Sequence, residues 1–112
     1  MVLVTAPNEA SAARLARTLV EERLVACANL VPKIRSIYRW KGKIEDAPEV
    51  LVLLKTRGPA VEALIARVKA LHSYSVPEVL ELPVNRAFAP YLDWVWEETE
   101  RPIARRRRLT LV

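Results

Sequence analysis

Glycine is nearly absent. Gly42 and Gly58 are the only two in 112 residues, which excludes a glycine-rich phosphate loop. The single cysteine, Cys27, cannot close an internal disulfide, as fits a reducing compartment. One histidine, His72, and no G-x-S-x-G elbow leave a Ser-His-Asp acyl-transfer site without its parts. No apolar run approaches the roughly 20 residues of a membrane-spanning helix. The opening MVLVTAPNEA lacks the basic start and long apolar stretch of a secretory signal. The expected location is therefore cytoplasmic, with no membrane partner.

What the chain does hold is ample apolar material, 52% of residues, with 28% charged, enough for one soluble domain with one core. The net charge of +5 is unevenly placed. Residues 1–100 carry 13 basic and 13 acidic side chains, so the excess lies in Arg101 and the run Arg105 to Arg108. A neutral domain over 1–100 with a basic extension over 101–112 is expected. A folded surface without net charge, and a tail without interleaved aromatics, argue against nucleic acid as a partner. The tail reads as a solvated end, or alternatively as a contact for anionic partners or an added edge strand.

Periodicity divides the domain. VLVT (2–5) is a short strand, and Asn8 is placed to cap a helix over about 8–23, whose stripe is Ala12, Leu15, Ala16, Leu19 and Val20. LVACANLV (24–31) reads as a buried strand continuing through Pro32 into IRSIYRW (34–40), with Ile34, Ser36, Tyr38 and Trp40 on one face. Lys41-Gly42 marks a turn, and the chain returns as 43–56, irregular or at an edge near Pro48. Uniformly apolar VLVLL (50–54) predicts a strand covered on both faces. Gly58-Pro59 opens a second helix with a stripe of Val61, Leu64, Ile65, Val68 and Leu71, and His72 falls at its end. VPEVLELPV (76–84) predicts a fourth strand. Pro90 starts a third helix carrying Tyr91, Leu92, Val95 and Trp96. The order βαββαβ plus a helix is that of an α+β, ferredoxin-like sandwich with both main helices on one face of an antiparallel sheet. Its other face, with so much apolar strand, calls for a partner, most simply further copies of the same chain.

His72, Cys27 and Glu78 are the candidate metal ligands, because imidazole and thiolate suit copper and zinc and a carboxylate can complete a site. No two of them stand at a short chelating separation, so the fold or neighbouring copies would have to gather them. Equally, Cys27 can be a small core residue and His72 a partner for a helix C-terminus. Tyr38 and Trp40 serve as packing or as the walls of a cleft. Lys55, after VLVLL, either reaches into water or holds an anion.

The strings TAPNEASA, LVEERLVACANLVP, SIYRWKGKIED, EVLVLLKT, VKALHSYSVPEVLELPV and YLDWV follow one another in series. Over residues 2–96 the chain thereby resembles the CutA family of divalent-cation tolerance proteins. A-C-x-N, S-I-Y-x-W-x-G-K and H-x-Y-x-V-P-E carry the likeness. The resemblance implies a cytoplasmic homotrimer shaped like the PII signalling proteins, with its long second and third strands pairing between subunits. It implies a link to heavy-metal and copper tolerance and no enzymatic reaction. It implies a cleft between subunits lined by Cys27, Tyr38, Trp40, Lys55, His72, Tyr74 and Glu78. Of these, His72, Cys27 and Glu78 would bind a divalent copper or zinc ion, and Tyr38, Trp40, Lys55 and Tyr74 a ligand. In a PII-like regulatory module, the alternative, that ligand would be a small anion; an adaptor displaying basic tails is a third possibility. The chain departs from the family pattern in having Ser73 where H-P-Y is usual, Val4 where some members have cysteine, and Leu71 where some have a second histidine. NRAFAP (85–90) lacks the usual glycine, and residues 101–112 extend past the usual end.

Overall fold

A computed structural model of the chain describes residues 1–100; the basic extension expected over 101–112 lies outside the described residues. The elements are β1 (Val2–Ala6), α1 (Glu9–Glu21), β2 (Cys27–Trp40), β3 (Lys43–Lys55), a 3-10 turn (Gly58–Ala60), α2 (Val61–Leu71), β4 (Val79–Glu81) and α3 (Ala89–Thr99). The four strands form one antiparallel sheet in the order β2-β3-β1-β4. This is the ferredoxin-like α+β arrangement expected from the element order.

The helices begin and end where local chemistry requires. Asn8 caps α1, its side-chain oxygen accepting from the Ser11 amide at 2.8 Å. α2 follows a 3-10 turn containing Pro59, whose missing N–H costs nothing in a first turn. Leu15 and Leu19 of α1, and Leu64 and Val68 of α2, pack on Val2, Val4, Val50, Val52 and Leu54 to make the core. Each such side chain, fully removed from water, contributes about 1.5–3 kcal/mol. A bidentate ion pair clamps the two helices, with Arg67 Nε and Nη2 each donating to Glu22 at 2.7 Å. The hydrogen bond from Arg67 holds the Glu22 carboxyl below its usual pKa.

Three expectations need correction. The strand read over 24–31 starts only at Cys27; Leu24 and Val25 are buried in the turn after α1 instead, packed into the core. The fourth strand shrinks to Val79–Glu81. VLVLL is covered on one face only: Val50, Val52 and Leu54 are buried under the helices, while Leu51 and Leu53 keep partial exposure. The reason is that α1 and α2 both pack on one face, so among the described residues the opposite face is only partly covered.

The β2–β3 hairpin outruns the rest of the sheet. β1 pairs with β3 only from Val2↔Leu54 to Ala6↔Val50, whereas β2 and β3 stay paired out to Trp40↔Lys43. Residues 43–49 with their partners therefore project as a two-stranded arm about 20 Å long at the usual rise per residue. Pro48 lies on this arm, where β3 has a free edge and the missing amide breaks no ladder. At the tip, Lys41 (φ 49°) and Gly42 (φ 78°) both take left-handed conformations, as a two-residue type I′ turn requires.

A bulge at the root of the arm decides what the arm displays. Val31 pairs with Leu51 and Ile34 with Glu49, so β2 spends one more residue than β3 in the interval. Pro32 and Lys33 (φ 59°) occupy it. The extra residue switches parity, because side chains alternate with period two. Cys27, Asn29 and Val31 thus share the uncovered face with Ile34, Ser36, Tyr38 and Trp40.

Candidate functional site

The uncovered face meets the segment after α2 in a cleft of about 800 Å³. One wall is the arm, through Ser36, Tyr38 and Trp40; the other is Ser73 to Val76 with Glu78. Glu49 lies between them. It is a buried carboxylate, held by the Tyr74 hydroxyl, which donates to Oε2 at 2.9 Å. Burial first, then that hydrogen bond and the charge of Glu49, push the Tyr74 phenol up to about 12. Tyr74 therefore remains a donor throughout the neutral range. The one arginine in the lining, Arg35, is already engaged by Asp46 through two bonds of 2.8 and 2.6 Å.

His72 sits beside this cleft and is fully occupied. It ends α2, with its backbone amide bonded to the Val68 carbonyl. Its Nε2 lies 2.7 Å from the carbonyl oxygen of Thr5, and its Nδ1 accepts from the Tyr74 amide at 3.0 Å. A carbonyl only accepts and an amide only donates, so Nε2 carries the proton and Nδ1 the lone pair. The ring also packs on that of Tyr74, 4.8 Å between centroids. Within one chain, His72 thus fixes the start of the 73–78 wall, and a metal ion would have to displace one of its two partners.

Cys27 and Lys55 lie elsewhere. They pair with each other across β2 and β3, four rows along β3 from Leu51, the residue opposite Thr5. At about 3.4 Å per residue that is roughly 14 Å. There the Lys55 ammonium donates to Asn29 Oδ1, and the Cys27 thiol points to the same oxygen at 3.8 Å. Tyr91 of α3 joins the group; burial and then its contacts with Cys27 raise its pKa. α3 is fastened alongside by Arg57, whose Nε donates to Thr99 Oγ1 at 3.1 Å and whose guanidinium stacks on Trp96.

Of the seven candidate residues, Tyr38, Trp40, Tyr74 and Glu78 come together in one cleft, His72 adjoins it, and Cys27 and Lys55 form a second cluster. Among the described residues no three His, Cys, Asp or Glu side chains stand close enough to hold a metal ion. Residues 1–100 of one chain therefore do not gather a soft-donor site. Glu49 escaped the sequence analysis, although a carboxylate directly before an apolar strand run was a usable signal: it is placed in register with the half-covered face.

Comparison with known proteins bears on the same span. Residues 1–98 match the family described as CutA1 divalent ion tolerance protein. The mouse Protein CutA is 53% identical over 97 residues, 87% of this chain and 55% of its own length. The chain thus spans about half the length of the mammalian relatives it matches. The Thermus thermophilus divalent-cation tolerance protein CutA is 50% identical over 88% of this chain and 96% of its own. A solved structure of the Thermus thermophilus divalent cation tolerance protein superposes with a TM-score of 0.86, at 49% identity and 88% and 96% coverage. A rice relative named Protein CutA 1, chloroplastic, is 43% identical over 88% of this chain and 56% of its own length. The fold, the 1–98 match and identities near 50% agree, and the chain belongs to the CutA1 divalent ion tolerance family.

Proposed function

We propose that this protein is a non-catalytic, cation-binding assembly that takes part in the response to divalent metals such as copper or zinc. It does so as a homotrimer, with binding sites where copies meet. The observation that carries this is the incompleteness of a single copy over the described residues, 1–100. Its sheet face is half bare, its arm exposes Ile37 (63%) and Ile44 (69%), and Val76 and Phe88 are more than two-thirds exposed. Apolar surface on this scale marks an interface. β2 is an edge strand with an open row of backbone groups, ready to pair. Its candidate donors also divide between two clusters, so only juxtaposed copies can combine a Cys27 cluster with a cleft holding Glu78 and Glu49. Three copies, and likeness to the PII proteins, follow from the family resemblance.

Sedimentation at micromolar protomer tests the assembly: a mass three times that of the chain is expected, and a stable monomer defeats it. Calorimetric titration with Cu(II) and Zn(II) tests the ligands, comparing wild type with Cys27→Ser, His72→Ala and Glu78→Gln. Loss of heat in Cys27→Ser and Glu78→Gln together places the ion between copies. Curves that match wild type in all three variants remove these residues from any site.

A small anion is the less favoured ligand. The cleft lining contains no lysine, and its arginine is spent on Asp46. The Lys55 cation sits with Cys27, bonded to Asn29. Cytoplasmic location remains our proposal; no helix among the described residues is long and apolar enough to cross a membrane.

A further inference from the structure

We infer that the cleft between the arm and the 73–78 segment receives a small organic ammonium ion, held by the faces of Tyr38, Trp40 and Tyr74 and by the carboxylates of Glu49 and Glu78. It rests on the proposed cation-binding cleft but not on a metal ion.

The cleft combines two features that favour such a ligand. Its charged lining consists of two carboxylates and one arginine neutralised by Asp46. Its walls are aromatic: Tyr38 and Trp40 are each 43% exposed, and Tyr74 lines the wall opposite them. A ring face attracts a cation by its quadrupole, more strongly once water is excluded, and several rings around one space form a cage for alkylammonium groups. A bare divalent ion is a poorer match, since it needs several convergent oxygen, nitrogen or sulfur donors at short range. A volume of about 800 Å³ also exceeds what an ion requires and suits a metabolite-sized molecule.

Trp40 already shows the chemistry within the chain. The Lys41 ammonium stands 5.8 Å from its ring centroid. That tethered cation competes with a free one for the same indole, so removing it should improve binding. Glu49 has a different task from Glu78. Buried and bonded to Tyr74, it anchors one ring and supplies fixed negative charge, whereas exposed Glu78 is free to approach the ligand.

The test is titration of the assembled wild-type protein with tetramethylammonium chloride in excess EDTA, read by tryptophan fluorescence against sodium chloride of equal ionic strength. Saturable quenching is expected. Glu78→Gln and Tyr38→Leu should each weaken binding about tenfold, and Lys41→Ala should tighten it about twofold. Sedimentation and circular dichroism on each variant establish that fold and assembly persist. No saturation in wild type overturns the inference, as does saturation that Glu78→Gln and Tyr38→Leu leave unchanged. Zinc titration of the same samples without EDTA reports separately on divalent ions. Ammonium binding without zinc binding would sink the metal proposal alone, and zinc binding without ammonium binding would sink this inference alone.

Discussion

The two ends of the β2–β3 hairpin share strands and ladder but little else. At its base, Val50, Val52 and Leu54 are shut under two helices with Leu19, Leu64 and Val68. Along the arm, Ile37, Tyr38, Trp40 and Ile44 meet water. The base is a finished core. The arm is a two-stranded ribbon, which is marginal by itself in water and needs a third surface. One continuous strand pair thus serves stability at one end and association at the other, and substitutions should divide along that line.

The largest loss of stability is expected at the base. Leu64 is wholly buried between α2 and the sheet, so Leu64→Ala should cost about 3 kcal/mol through lost burial and an unfilled cavity. Denaturant unfolding at fixed protomer concentration measures it, since assembly makes stability concentration-dependent. On the arm the outcome should invert. Ile37→Asp with Ile44→Asp removes no contact that the base relies on and should leave helix content intact. Sedimentation should show the assembly falling to single chains. An unchanged mass would mean the arm does not mediate association.

Between these regions stands the Tyr74–Glu49 bond, and Tyr74→Phe should cost about 1–3 kcal/mol by leaving a buried carboxylate without its donor. It also gives the comparison a pH dependence. The folded-state pKa of Tyr74, about 12, lies above its ordinary value of 10.0. Its contribution is therefore complete below pH 10 and is lost as pH rises toward 12. Unfolding midpoints measured from pH 9 upward should fall in the wild type, and fall less steeply in Tyr74→Phe.

Much of the base was legible because its signals are local. The stripes of α1 and α2 and the Asn8 cap each need only a few neighbouring residues, as does the Lys41-Gly42 turn at the far tip of the arm. The length of β4 was not, because 76–84 alternates like a strand while the ladder with β1 stops at Val4↔Val79, beyond which the Thr5 carbonyl is taken by His72. VLVLL misled for a related reason. Its second face is apolar, as if covered, yet among the described residues Leu51 and Leu53 keep partial exposure. The resemblance implied that Tyr38, Trp40, Tyr74 and Glu78 would meet between subunits, whereas these four already line one cleft within a chain; Glu49 and the engagement of His72 by Thr5 depend on contacts between residues 25 and 67 positions apart.

Least visible of all was the bulge, and it gives the smallest predicted effect. A sequence with two glycines places three other residues at positive φ among those described, Arg23, Lys33 and Lys41. Nothing in Pro32-Lys33 announces a left-handed turn. Since side chains crowd that conformation, Lys33→Gly should relieve strain, partly offset by the greater freedom of glycine in the unfolded chain. A net gain of about 0.5 kcal/mol is expected, with assembly unchanged. Deleting Lys33 is the sharper contrast. One residue fewer leaves Val31, Pro32 and Ile34 opposite Leu51, Val50 and Glu49 in simple alternation, which keeps Tyr38 and Trp40 on the cleft side while removing the left-handed kink. The base should still fold, and fluorescence should keep any cleft ligand and sedimentation any assembly built on the arm. If either is lost on the deletion, the arm depends on the bend that the bulge imposes and not only on the side where its aromatics lie.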